Sequence, residues 1–394
     1  MTVADDIRDI PRVSIWNDPR LRGIFFQVLL VAVLAFLAWE IVQNTIANLQ
    51  RLNKDLGYGF LSKTAGFDII QQLVPYSSSS NYGMALYVGF LNTILISVLG
   101  IIGATVIGFV MGIMRLSKNW LAARIATVYI DFFRNIPLLL QIFIWYKFVI
   151  QFLPDQKVAP NPLGLFFISN RGLMLPRPEF GDMAWLGGLG LLAAIVVGYL
   201  VRRWARIRQA ATGQPYPVFL TSLALLVLLP LLGLALAGFP LSWDIPHKTV
   251  FNFSGGYTVI PELIAMFLAL SIYTGTFIAE AVRAGVQSVS HGQTEASHAL
   301  GLRNASTLRL VVVPQAMRVV IPPLASTYLS LTKNSSLAVA IGYPDLVATG
   351  GTVLNQTGKA IEIVSMWMFV YLSLSLLTSL LMNWFNARMK LVER

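Results

Sequence analysis

Gly292-Gln293-Thr294-Glu295-Ala296-Ser297-His298-Ala299-Leu300-Gly301 is a polar stretch that leads on to Val313-Pro314 and lies between long apolar segments. It reads as a short helix, a glycine stop and a second helix. Glycine is favoured just past a helix end because that position often needs a left-handed backbone, and proline is tolerated in the first turn of the next helix. A polar helical pair set among membrane segments is built to touch something outside the membrane, with Glu295 offering a charge for a partner.

The rest of the chain supports that setting. Of its 394 residues, 56% are hydrophobic and only 12% charged, and the mean hydropathy is +0.68, too apolar for a soluble fold of this length. A hydrocarbon core of roughly 30 Å needs about 20 apolar residues per helical crossing. Eight such spans can be read, at about 24 to 46, 84 to 114, 123 to 151, 184 to 201, 217 to 239, 258 to 281, 319 to 343 and 363 to 387. The fold expected is an all-α integral membrane protein.

The net charge of +11 is not a nucleic-acid signature, because its placement follows the membrane. With both termini inside, most connecting Lys and Arg residues fall on the inner side, among them Arg115, Arg202, Arg203, Arg206, Arg208 and Arg309. That bias reports orientation. The absence of cysteine excludes disulfides, thiolate metal sites and cysteine catalysis. The N-terminus lacks the features of a cleavable signal, since Asp5, Asp6 and Asp9 dilute its positive charge, so the first span should persist.

Residues 1–83 are read as a lead-in beginning near Trp16, the first span and an outside loop, and residues 84–390 as the main membrane domain. Within it, residues 152–256 form an insert of outside loops around a helical hairpin whose spans carry no charge, as suits lipid-facing helices. In the second span Ala104, Gly108 and Gly112 recur every four residues, a small face on which another helix can approach closely.

Ionisable groups at membrane depth are functional candidates. Asp131 and Arg134, three apart, share a helix face and can pair, and Glu280 with Arg283 repeats the arrangement. Either these pairs snorkel at the inner boundary or they help close an inner gate. Lys333-Asn334-Ser335-Ser336 follows Pro322-Pro323, which suggests a broken helix beside a polar cavity. The alternative is a span that starts late, with Lys333 anchoring its end. No Walker A pattern is present, since Gly358-Lys359 is followed by Ala360, and His291 and His298 lack companions for a metal site. No catalytic, cofactor or metal residue is therefore expected in this chain.

Taken together, the loop and three further blocks resemble the permease subunits of ABC importers of polar amino acids. The blocks are Gly89-Phe90-Leu91-Asn92-Thr93, Tyr129 through Gln141 and Lys333 through Leu337, and the loop continues through Pro323. The resemblance implies a five-helix type I importer core, here the second, third, sixth, seventh and eighth spans, with the first span and the hairpin as additions. It implies that Gly292, Glu295, Ala296, Gly301 and Pro314 belong to the loop that docks onto an ATPase. ATP and Mg would be bound by that ATPase dimer and not by this chain. A periplasmic amino-acid-binding protein and a second, unlike permease would complete the assembly in a bacterial inner membrane, surrounded by lipid, with both termini cytoplasmic. The long N-terminal region resembles the general L-amino-acid subgroup. The loop departs from the usual pattern at Ser297, where alanine is common. Two other classes are an ion-coupled secondary transporter, which would need acidic groups at mid-membrane and half-symmetry, and a structural subunit of a larger complex.

Overall fold

The computed structural model describes residues 19–51, 57–250 and 252–389. The first residues of the lead-in, Trp16 to Asp18, and the last residues from Lys390 lie outside them. Residues up to Phe60 form one compact unit and those from Leu61 another. The first holds a single long helix, α1 (Pro19–Arg51), which contains the apolar run expected to span.

The second unit contains α2 (Tyr82–Arg115), α3 (Trp120–Asn135), α4 (Leu138–Phe152), α5 (Trp185–Thr212), α6 (Val218–Leu236), α7 (Pro261–Gln287), α8 (His291–Ala299), α9 (Asn304–Thr307), α10 (Val313–Asn334), α11 (Leu346–Thr357) and α12 (Ala360–Met389). Among the described residues seven helices are long and apolar enough to cross a membrane, or eight if α3 and α4 count as one bent span.

At the centre lies α7, packed against α2, α3, α4 and α10, with Ala265, Met266, Ala269, Leu270 and Ile278 fully buried. The small face of α2 is what admits it. Gly108 sits against Ile278 and the Gly275 carbonyl, and Gly112 against Val282 and the Ala279 carbonyl, so backbones meet where no side chain intervenes. A Cβ at Gly108 would lie 2.9 Å from the Gly275 oxygen, closer than real contacts allow. Gly108→Val should therefore destabilise the subunit by about 1 to 3 kcal/mol, seen as a lowered melting temperature in detergent. Gly188→Val, where nothing lies within 4 Å, should not; equal shifts in both would refute the assignment.

The third span is not continuous. α3 and α4 meet at an angle of 108°, because Pro137 has no N–H and biases Ile136 toward the extended backbone it adopts (φ −95°, ψ 127°). The carbonyls exposed by the break are covered: the buried Gln141 amide donates to Phe133 O at 2.7 Å and Ile136 O at 2.9 Å. Conversely, the break expected at Pro322-Pro323 is absent, and α10 runs unbroken from Val313 to Asn334. Its irregularities lie at its ends. Ahead of Pro314, Leu308–Val312 form a π turn in which Val313 N–H reaches Leu308 O, a widened turn that accommodates a proline ring. After Asn334, Ser335–Ile341 tighten to a 3-10 helix ended by Gly342 at φ 79°.

The long loops of the insert carry short strands that the sequence pattern did not reveal. β1 (Phe167–Ser169), β2 (Gly172–Leu175) and β7 (Tyr257–Val259) form an antiparallel sheet in that order, β3 (Arg177–Phe180) pairs with β4 (Leu241–Asp244), and β5 (His247–Lys248) with β6 (Phe253–Ser254). The β3–β4 pair closes the end of the α5–α6 hairpin, whose helices touch through Gly190 against the Leu229 carbonyl and Gly233 against Leu186.

Candidate functional site

The stretch from Ser290 to Pro314 folds as a helix, a turn and a second helix. α8 ends in a Schellman motif: Leu302 N–H donates to Ser297 O at 3.1 Å and Gly301 N–H to His298 O at 2.9 Å, with Gly301 at φ 75°. That geometry satisfies the last carbonyls of α8 and fixes where α9 starts. Inward, Ser297 and Thr307 are buried, and the Gln315 amide donates to Gln293 Oε1 at 3.2 Å, tying α8 to α10. Outward, Gly292, Glu295, Ala296 and Leu300 are exposed. Among the described residues Glu295 has one ionic neighbour, His291, 4.0 Å away. The serine at position 297 leaves this outer face unaltered, because its hydroxyl turns back to Gln293 O at 2.7 Å. Pro314 lies in the first turn of α10.

Three of the four ionisable residues singled out on the third and sixth spans, Asp131, Glu280 and Arg283, come together around Arg115, and Arg134 turns elsewhere. Glu280 and Arg283 pair at 3.0 Å. Asp131 does not pair with Arg134. Arg115, at the end of α2, ion-pairs with Glu280 and stands 3.9 Å from Asp131, while the Arg134 guanidinium lies over the Phe277 ring, 5.2 Å from its centre. The helix turn that puts Asp131 and Arg134 on one face also points each at a different neighbour. Arg115 was missed by sequence reasoning because it ends a span and reads as an orientation charge. α2, α3 and α7 are thus joined by one cluster near their C-terminal ends, extended by Arg283 Nη1 donating to Gln287 at 2.6 Å.

The polar tetrad splits by direction. Ser335 is buried and donates to Thr332 O, and Ser336 donates to Lys333 O. Lys333 is exposed and continues a stripe of exposed residues, Pro322, Pro323, Ser326 and Ser330, along one face of α10. Beside it a groove of about 320 Å³ is lined by Tyr273, Thr274, Phe277, Ser326, Thr327, Ser330, Leu331 and Asn334. Asn334 stands in the wall of this groove, and Lys333 is not among the residues that line it.

A second polar cluster had no role assigned from the sequence. Asn92 donates to Gln71 O at 2.8 Å and Pro344 O at 2.9 Å, and its own carbonyl accepts from the Tyr343 hydroxyl. The buried Asp345 carboxylate caps α11 by accepting from Ala348 N–H at 2.8 Å. Burial pushes its carboxyl up to about 7, against the bonds that favour the charged form. Its placement just before a helix was the available signal.

Residues 188–391 match the family described as the binding-protein-dependent transport system inner membrane component. The General L-amino acid transport system permease protein AapQ of Rhizobium johnstonii is 54% identical over 381 residues, covering 97% of this chain and 95% of that protein. The glutamate/glutamine/aspartate/asparagine transport system permease protein BztB of Rhodobacter capsulatus is 42% identical over 410 residues, covering 96% of each.

Proposed function

This chain belongs to the inner-membrane permeases of binding-protein-dependent transport systems and is a multi-pass permease subunit of an amino-acid ABC importer; from that premise we propose that it is half of a heterodimeric permease for a broad range of L-amino acids, driven through the loop of residues 292–314. A separate cytoplasmic ATPase dimer binds ATP and Mg and receives α8. A periplasmic binding protein delivers the amino acid to the outer mouth, and both termini are cytoplasmic.

The observation that carries this reading is the outer face of α8. Glu295, Ala296 and Leu300 stand exposed on a helix whose other side is tied to α10, so force applied to α8 passes into a membrane helix instead of deforming a loop. The stripe from Pro322 to Lys333 supports the second permease subunit. Hydroxyls and an ammonium group on a membrane helix are costly against lipid, and a partner that encloses a wet path with them removes that cost. The cluster of Arg115, Asp131, Glu280 and Arg283 holds the inner ends of α2, α3 and α7 closed until the ATPase moves. The wall of Tyr273, Phe277 and uncharged hydroxyls suits amino acids of varied side chain, since it fixes no single charge. Co-expression tests the reading directly. The chain should co-purify with an ATPase and a second permease, and reconstituted uptake should need both together with binding protein and ATP. Uptake by this chain alone, driven by an ion gradient, would overturn it, and competition among L-amino acids would measure the breadth.

A further inference from the structure

The α5–α6 hairpin has a feature that transport does not use. Four arginines, Arg202, Arg203, Arg206 and Arg208, stand within two turns near the end of α5, and no Asp or Glu occurs between Asp182 and Asp244. The hairpin therefore carries a concentrated positive charge with no carboxylate of its own, and among the described residues none of the four makes an ion pair. Arg208 is held by packing: its guanidinium lies over the Trp204 ring, 5.3 Å from the centre, and Trp204 meets Tyr216 edge to face across the turn. Arg202, Arg203 and Arg206 are exposed and line, with Tyr199 and Ile207, a groove of about 510 Å³.

Depth identifies the occupant. Arg202 lies 17 residues beyond Trp185, the start of α5, which at 1.5 Å per residue is about 26 Å along the helix and close to the far border of a bilayer core. The groove is thus at the level of lipid phosphates. Directly toward the bilayer from it, Leu192, Ile195, Val196 and Tyr199 are exposed and offer an apolar wall for an acyl chain. A soluble phosphate would meet the arginines alone; a phospholipid meets both. We propose that this groove binds the headgroup of an anionic phospholipid, with a doubly phosphorylated lipid such as cardiolipin favoured over a singly charged one because three arginines line it. An orientation signal alone needs basic residues anywhere in the turn, whereas three arginines on one groove with an adjoining apolar strip make a site.

The test uses the detergent-purified transporter complex and native mass spectrometry with added cardiolipin, phosphatidylglycerol or phosphatidylcholine. Each basic side chain near an anionic surface is worth about fivefold in binding, so Arg202→Gln/Arg203→Gln/Arg206→Gln should lower cardiolipin affinity on the order of 100-fold and leave phosphatidylcholine retention unchanged. The matching triple lysine variant, which keeps the charge, should lose only a few-fold. If the triple glutamine variant does not assemble, Arg206→Gln alone should still show a loss of about fivefold. Cardiolipin retained equally by an assembled triple variant, an unchanged affinity in Arg206→Gln, or displacement of the lipid by millimolar pyrophosphate would each overturn the proposal.

Discussion

Gly301→Asp should give a transporter that inserts, assembles and captures its binding protein, yet loses nearly all stimulation of ATP hydrolysis by the loaded binding protein. At φ 75° the position is left-handed, a conformation aspartate adopts at a cost of about 1 to 2 kcal/mol, and a Cβ there meets nothing within 4 Å in the subunit. The fold therefore survives. The damage falls on whatever covers α8, where an unpaired charge enclosed by a contact costs about 3 to 5 kcal/mol, enough to lower stimulation by roughly two orders of magnitude or more. Gly301→Asn has the same shape without the charge and should keep most of the stimulation. ATPase rates of the reconstituted complex, with and without loaded binding protein, decide it. Normal stimulation in the aspartate variant would mean that α8 is not the coupling surface.

Glu280→Gln should produce the second large effect, transport falling at least about tenfold while hydrolysis without substrate rises. Glu280 is the acceptor shared by Arg115 and Arg283, with its side chain 18% exposed, and removing one member of such a part-buried cluster costs about 2 kcal/mol or more, less than a fully buried pair. Arg283→Gln should be milder, since Arg115 still holds Glu280. A double-mutant cycle across Arg115 and Glu280 should show coupling above about 1 kcal/mol, and one across Asp131 and Arg134 close to none. The reverse ranking would return the assignment to the pairing that helix spacing alone suggests.

How far the sequence reached depended on whether a feature is local. The helix, glycine stop and helix of residues 291–307 were legible because caps and left-handed glycines are decided by neighbours in the chain, and the small face of α2 because its period matches the helix. Apolar length located the membrane helices. It passed over the elbow at Ile136-Pro137, where hydropathy stays high through a residue that cannot donate a backbone hydrogen bond, and it gave too much weight to Pro322-Pro323, which a long helix absorbs. The strands of the insert, two to four residues each, are too short to show alternation. Arg115 was out of reach for another reason, since what matters about it is a contact with an element far away in the sequence.

The glycine-lined seam between α2 and α7 bears on how the subunit deforms. Under a load, connected parts strain in proportion to their compliance, and a seam in which Gly108 and Gly112 lie against opposing backbone is a stiff joint, because sliding by even part of a turn drives Ile278 into the neighbouring helix. Movement must concentrate where the ladder of backbone hydrogen bonds is already irregular. Those places are the elbow at Pro137, the π turn at Leu308–Val312 and the 3-10 turn at Ser335–Ile341, and two of the three bracket α10. On the proposed coupling role, a push on α8 would reach a rod with an irregular turn at each end, with α2 and α7 as the frame it turns against.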